Sequence, residues 1–192
     1  MRTDQISPGA FFAGALLLLV LPLRWLIAAV FAALFHEFCH YAALRFCHGR
    51  INGFCIGSSG AVLDALPLTA GKELFCLLAG PLGGLLLLLC ARWIPRVAVC
   101  AACQSVYNLL PISTLDGGRA LRCGVRLALP PDRADRICRC VERICLWGLV
   151  ILGGYASVVL QLGFLPLMAV LLLMIRLYGV KTSCKPCRLR VQ

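Results

Sequence analysis

The stretch AALFHEFCHYAALRF, residues 32–46, places two histidines and a glutamate inside an almost wholly apolar run. His36 and His40 are four residues apart, so on a helix their imidazoles emerge on one face, one turn apart. That spacing lets both imidazoles reach one zinc ion, and Glu37 can then act on water as a general base. As a bare pattern in a soluble protein this HExxH arrangement is weak evidence, so its meaning depends on the rest of the chain.

The composition indicates a membrane protein. Of the 192 residues, 61% are hydrophobic, whereas a soluble domain averages roughly 45–50% apolar residues. The excess lies in blocks such as LLLLLC at 85–90 and LMAVLLLMI at 167–175. Because a bilayer core needs about 20 apolar residues per spanning helix, these blocks predict a polytopic membrane protein with no sizeable soluble module.

The fold class expected is all-α, with about six transmembrane helices and a short membrane-associated β element after the second. We expect one transmembrane domain, residues 1–192, with a core at 24–119, additional helices at 120–180 and a basic cytosolic tail at 181–192. Glycines and partial alternation in residues 48–67 favour the β element. The apolar runs predict helices at 10–23 (beginning near Ile6 if it spans), 25–46, 74–91, 97–113, 144–160 and 164–180.

The formal charge of +11 is explained by topology. Cytoplasmic loops of membrane proteins collect Lys and Arg, and only three of the 19 basic residues lie in the connections after the first, third and fifth segments: Arg24, Arg92 and Arg96. Both termini are therefore expected in the cytosol, and nucleic acid is not an expected partner. The 13 cysteines are odd in number and lie mostly in apolar runs, which fits a reducing compartment better than a disulfide framework.

The lipid surroundings strengthen the metal-site interpretation of residues 36–40. A glutamate in hydrocarbon costs several kcal/mol unless it is partnered or beside water. Two histidines within the same five residues add to that cost, and a bound cation offsets it. The alternative is a helix end with three interfacial polar side chains.

A catalytic zinc ion usually takes three protein ligands and keeps one open position. Asp116, in the stretch NLLPISTLDGGR at 108–119, is the candidate for the third ligand, and the glycines after it allow the backbone a close approach. Alternatively, Asp116 caps the next helix. His48 is a rival ligand, but beside Arg50 in a loop it has the pattern of a solvated histidine.

Together, HEFCH in an apolar helix and the later NLLPISTLDGG closely resemble the site-2 protease family of intramembrane zinc metalloproteases. That family's second motif has the form N-x-x-P-x-x-x-L-D-G, which this chain matches at Asn108, Pro111, Leu115, Asp116 and Gly117. The resemblance covers residues 24–119. Neither the PDZ insertion nor the CBS extension of larger relatives is expected here, and the chain most resembles the compact bacterial branch that includes sporulation proteases.

The resemblance implies one Zn²⁺ per chain, with His36, His40 and Asp116 as its ligands and Glu37 as the catalytic acid/base. It implies that the loop INGFCIGSSGAV, residues 51–62, forms the β element, whose edge pairs with a substrate segment by strand addition. The candidates for substrate binding are Asn108, Gly80 and Pro81. Relatives usually carry an asparagine soon after the Gly-Pro of the third helix, where this chain has Gly84.

The expected function is hydrolysis of a peptide bond in a membrane-spanning or membrane-associated protein near the cytosolic face. The expected location is a bacterial cell membrane, and the expected partners are that substrate, the lipid bilayer and a regulatory membrane protein. Two rival functions stay open. Intramembrane histidine and acidic residues also mark ion paths, which would suit a metal-ion transporter, and a non-catalytic scaffold could retain the protease fold.

Overall fold

The computed structural model describes residues 22–49, 51–57, 60–65 and 68–161, with single residues at 163, 166, 170, 171 and 174. The first predicted helix, most of the segment 164–180 and the tail 181–192 lie outside the described residues. The helices are α1 (Leu23–Phe46), α2 (Ala70–Leu86), α3 (Pro95–Leu109), α4 (Asp116–Ala128) and α5 (Pro131–Val158), with a 3₁₀ turn at Leu87–Cys90 after α2; the strands are β1 (Ile51–Gly57) and β2 (Gly60–Ala65).

Helix α1 has an apolar outer face and carries its histidines on the inside. Its large outward side chains are exposed at Ile27, Phe31, Leu34 and Phe38. Small alanines and His36 face the other helices and are buried. A helix in the core of a soluble protein is mostly buried, whereas only 22% of the most apolar window of α1 is buried. Exposed apolar side chains along the helix suit contact with lipid.

Among the described residues, two helical segments are long and apolar enough to cross a membrane, Leu23–Phe46 and Ala70–Cys90. The first matches the predicted segment 25–46 closely. The second begins four residues before the predicted segment 74–91 and covers most of it. The count of six spanning helices and the sidedness of the termini stay predictions.

Glycines bring α2 close to its two neighbours. A Cβ atom at Gly83 would overlap the Cys39 sulfur on α1, and one at Gly84 would overlap the Ser105 hydroxyl on α3. Small residues allow helices to approach closely in membranes, where association depends on packing more than on water exclusion. The space that an asparagine side chain would need at position 84 is therefore taken by Ser105.

The end of α3 and the start of α4 are set by proline and glycine. Leu110 leaves the helical conformation before Pro111, as expected because proline disfavours the α region in the preceding residue. The predicted helix 97–113 therefore ends four residues too late. The first turn of α4 then packs on the preceding backbone, since a Cβ at Gly117 would overlap the Leu109 carbonyl and one at Gly118 the Ile112 carbonyl.

The arginine-rich region 117–143 lies almost entirely in α4 and α5, where additional helices are expected but where the apolar runs place one only at 144–160. Both α4 and the first half of α5 are polar, but α5 begins with Pro131, a favourable first helical residue. Its inner face buries Ala134 and Cys138. Across the short turn, Arg126 donates to both carboxylate oxygens of Asp135, at 2.9 and 3.1 Å.

An antiparallel β hairpin lies within residues 51–65, the segment for which a short β element is predicted. Its register runs from Ile51 opposite Ala65 to Gly57 opposite Gly60, with an irregularity between Ile51 and Gly53. That the hairpin is associated with the membrane stays a prediction. By compactness the chain divides into Met1–Glu142, which contains the site described below, and Arg143–Gln192.

We expect Gly84→Asn, which introduces the side chain that relatives usually carry, to destabilise this protein. The amide would overlap the Ser105 hydroxyl and push α2 and α3 apart, and overpacking of this kind costs about 1–3 kcal/mol. The measurement is the free energy of unfolding in detergent micelles.

The matched control is Gly71→Asn at the start of the same helix, where an added Cβ meets no atom within 4 Å. An equal loss of stability in both variants would contradict the packing explanation.

Candidate metal centre

Three side-chain atoms from two distant parts of the chain converge on one point. The Nε2 atoms of His36 and His40 and the Oδ2 atom of Asp116 each lie 3.1 Å from the other two. In a tetrahedral site with nitrogen and oxygen ligands at about 2.0–2.1 Å from the metal, neighbouring ligand atoms are about 3.3 Å apart. The observed triangle is close to one face of such a tetrahedron, so these residues could hold a metal ion.

The hydrogen-bonding pattern around the three atoms leaves acceptors facing each other, which favours binding of a cation between them. The Nδ1 atom of His40 lies 2.8 Å from the Cys76 carbonyl oxygen, and a carbonyl only accepts. A neutral His40 therefore carries its proton on Nδ1 and presents a lone pair from Nε2. That lone pair faces the carboxylate of Asp116, another acceptor. A single extra proton can lie along only one of the three edges, whereas a metal ion satisfies all three atoms at once.

His36 is held from a third helix. Its side chain is buried, and the side-chain nitrogen of Asn108, near the end of α3, lies 3.3 Å from its Nε2. An amide nitrogen donates, so this contact also treats Nε2 as an acceptor. The other ring nitrogen, Nδ1, is buried and has no hydrogen-bond partner among the described residues. The ring is thus oriented through the nitrogen that faces the triangle.

Asp116 is the first residue of α4, and its carboxylate turns toward the imidazoles. The cap position is Leu115, and no side chain makes a capping hydrogen bond there, so the capping alternative for Asp116 is wrong. Burial by itself would raise the pKa of Asp116, but hydrogen bonds and charge interactions with the two imidazoles in their protonated form hold it well below its ordinary value. The helix N-terminus also favours the ionised carboxylate.

Helix α2 positions His40 in two ways: a backbone carbonyl accepts a hydrogen bond from its ring, and a glycine leaves room for the ring. Gly80 follows Cys76 by one turn on the same face of the helix. A Cβ atom at Gly80 would overlap the His40 ring at Nε2. The imidazole can therefore lie flat on α2 and reach the Cys76 carbonyl only because position 80 has no side chain.

The remaining predicted residues lie at different distances from the triangle. Glu37 is half-buried and close enough to interact with the charges of both histidines and of Asp116. His48 is exposed, contacts the Phe46 carbonyl at 3.0 Å and lies apart from the metal-capable group.

Of the three candidates for substrate binding, the structure places two against the histidines: Asn108 at His36 and Gly80 at His40. Pro81 is fully buried within α2. Contact of any of the three with a substrate stays a prediction. Sequence reasoning missed the Cys76 carbonyl, since a backbone group leaves no trace in residue type.

A comparison with solved structures finds a site-2 protease from Methanocaldococcus jannaschii. The two structures superpose with a TM-score of 0.61 at 16% sequence identity, over 96% of this chain and 89% of the other. This chain has the site-2 protease fold. No protein-family model matches the sequence, and no curated protein is significantly similar to it.

The structural match supports the resemblance first seen in two short motifs, at the level of the fold. Together with two apolar helices whose outer faces are exposed, it indicates a membrane protein. Assignment to the compact bacterial branch stays a prediction.

The substitution Gly80→Ala leaves the three candidate ligand residues unchanged in the sequence, but we expect it to weaken metal binding. The new methyl group would displace the His40 imidazole from the Cys76 carbonyl, and losing such an outer contact typically lowers metal affinity about 10–100-fold. Titration of the purified protein with Zn²⁺ against a chromophoric chelator measures this.

Gly71→Ala, in the same helix with open space around it, should bind Zn²⁺ as the wild type does. Wild-type affinity in Gly80→Ala would show that the close contact with His40 is dispensable.

Proposed function

We propose that this chain is an intramembrane zinc metalloprotease of the site-2 type. In this proposal, His36, His40 and Asp116 hold one Zn²⁺, and Glu37 is the catalytic acid/base. The observation that carries the proposal is the triangle of 3.1 Å contacts among the three ligand atoms, beside a glutamate on the same helix. The motifs alone could not supply it, because Asp116 is 76 residues from His40 along the chain.

A bound Zn²⁺ supplies a Lewis acid that polarises the scissile carbonyl. Glu37 accepts a proton from the attacking water as the new carbon–oxygen bond forms. It then passes that proton to the leaving nitrogen as the peptide carbon–nitrogen bond breaks. Its half-buried position next to His36 suits both transfers. The Cys76 carbonyl accepts from the other ring nitrogen of His40 and keeps that imidazole oriented throughout.

The substrate proposed is a membrane-spanning or membrane-associated protein, cleaved near the cytosolic face. A helical substrate hides its carbonyls in backbone hydrogen bonds, so a short segment must unwind before attack. The β hairpin is a two-stranded sheet, and an unwound segment could pair with one edge by strand addition.

The topology proposed follows the distribution of basic residues. Both termini are placed in the cytosol, with about six spanning helices in a bacterial cell membrane. A regulatory membrane protein is the further partner proposed, alongside the substrate and the bilayer.

The substitution Glu37→Gln tests the catalytic assignment. It keeps the size of the side chain but removes the base, so we expect Zn²⁺ affinity within about threefold of wild type. Cleavage should fall by about 10²–10⁴-fold, the usual contribution of a general acid–base group. The measurement is co-expression with candidate single-span proteins, followed by fragment masses. His36→Ala is the matched control and should lose both metal and cleavage. Unchanged cleavage in Glu37→Gln would refute its role.

A Zn²⁺ flux assay separates the protease from a metal-ion transporter. Within the described part of the chain, one group of side chains is arranged to hold a metal, whereas a transport path needs further sites along it. We expect purified protein in vesicles to retain one Zn²⁺ per chain and to pass no ion across the bilayer. Sustained flux that disappears in His36→Ala would favour the transporter.

A further inference from the structure

The loop between α3 and α4 is bonded to a side chain far along the sequence. The Ser113 hydroxyl donates to Oε1 of Glu142 at 2.8 Å, and the Ser113 backbone N–H donates to the same oxygen at 3.3 Å. Glu142 lies on α5, 29 residues later, and is half-buried. Hydrogen bonds to an ionised acceptor are roughly twice as strong as those between neutral groups.

The bonded loop leads directly to the third ligand. Ser113 precedes Asp116 by three residues, and the turn between them is closed by the Leu115 N–H donating to the Ile112 carbonyl at 2.9 Å. Ile112 is fully buried, and the backbone of the next turn packs on it at Gly118. A displacement of Ser113 would therefore be transmitted to Asp116 through a short, closely packed turn.

Side chains of α5 bond both to the C-terminal part of α4 and to the loop that precedes α4. Asp135 and Glu142 are seven residues apart, which places them on one face of α5. Asp135 accepts from Arg126 near the C-terminus of α4, while Glu142 holds Ser113 just before its N-terminus. Glu142 also lines a small cleft together with Arg122.

We propose that Glu142 is a positioning residue of the metal centre. By fixing Ser113 it sets the position of the loop, and thereby holds the Asp116 carboxylate within reach of both imidazoles. This inference rests on the proposed metal site but does not require that the site cleave peptides. Glu142 itself touches neither the ligand atoms nor a substrate.

The test is the Zn²⁺ affinity of purified full-length variants, measured by chelator competition. Glu142→Ala should bind Zn²⁺ at least about tenfold more weakly, in line with the loss of other outer contacts of metal ligands. Ser113→Ala keeps the backbone donor and should lose less. The double variant should bind no more weakly than Glu142→Ala alone, because both substitutions remove one interaction. Glu142→Gln retains an oxygen acceptor and should recover affinity to within about threefold of wild type.

Two acidic residues on the same helix serve as controls. Asp132→Asn removes a charge from an exposed site at the start of α5 and should leave Zn²⁺ affinity unchanged. Asp135→Ala removes the carboxylate that Arg126 contacts at the far end of α4. If Asp135→Ala weakened Zn²⁺ binding as much as Glu142→Ala, general loosening of α4 and α5 would explain the effect and the proposal would be overturned, as it would by wild-type affinity in Glu142→Ala.

Hydrogen exchange at the Ser113 amide gives a readout that needs no metal. Glu142→Ala should increase its exchange rate at least about tenfold in the metal-free protein, while Asp132→Asn should not. Unchanged protection would overturn the proposal even if the wild type bound no Zn²⁺. Conversely, a wild type that binds Zn²⁺ but cleaves nothing would defeat the protease function and leave the Glu142 test intact.

Discussion

The structure depends on how three possible ligand atoms, each 3.1 Å from the other two, are satisfied in one place. The Cys76 carbonyl fixes the lone pair of His40 toward the carboxylate of Asp116, and the side-chain nitrogen of Asn108 donates to the Nε2 atom of His36 at 3.3 Å. In surroundings where unpaired polar groups are costly, two acceptors that face each other, such as His40 Nε2 and the Asp116 carboxylate, are unfavourable unless a proton or a metal ion lies between them. Helix α1 contributes two imidazoles to this arrangement and the next three helices contribute one group each, so the geometry of the candidate metal site depends on how the four helices pack.

Glycines on α2 allow the helices around the site to pack closely. Gly80 makes room for the His40 ring, Gly83 for Cys39, and Gly84 for Ser105. Glycine inside a helix costs about 1 kcal/mol relative to alanine, and three on one helix are acceptable only where helix contacts offset that cost. The polar atom at the contact between α2 and α3 therefore belongs to Ser105, on α3.

The sequence was informative where spacing along one helix determines geometry. The separation of His36 and His40 indicated that both imidazoles lie on one face of a helix. For Asp116, residue type alone allowed two roles, metal ligand or helix cap. Its distance to the imidazoles in the structure favours the first role. Hydropathy located α1 and α2 because their outer faces are apolar. It missed the polar half of α5, whose helical nature comes from Pro131 and from burial of small residues. Backbone acceptors such as Cys76, and pairs 29 residues apart such as Ser113 and Glu142, leave no local pattern.

The polar half of α5 shows how one helix can serve two environments. Its acidic residues Asp135 and Glu142 face inward and bond α4 and the loop before it. Its arginines Arg136 and Arg139 are exposed, as expected for side chains that reach anionic headgroups. The helix is therefore anchored by contacts whose strength differs: exposed arginines are screened by salt, whereas the half-buried carboxylate of Glu142 is screened much less. Because the inward contact is the one that reaches the loop before Asp116, the geometry of the proposed metal centre does not depend on how salt screens the exposed arginines of α5.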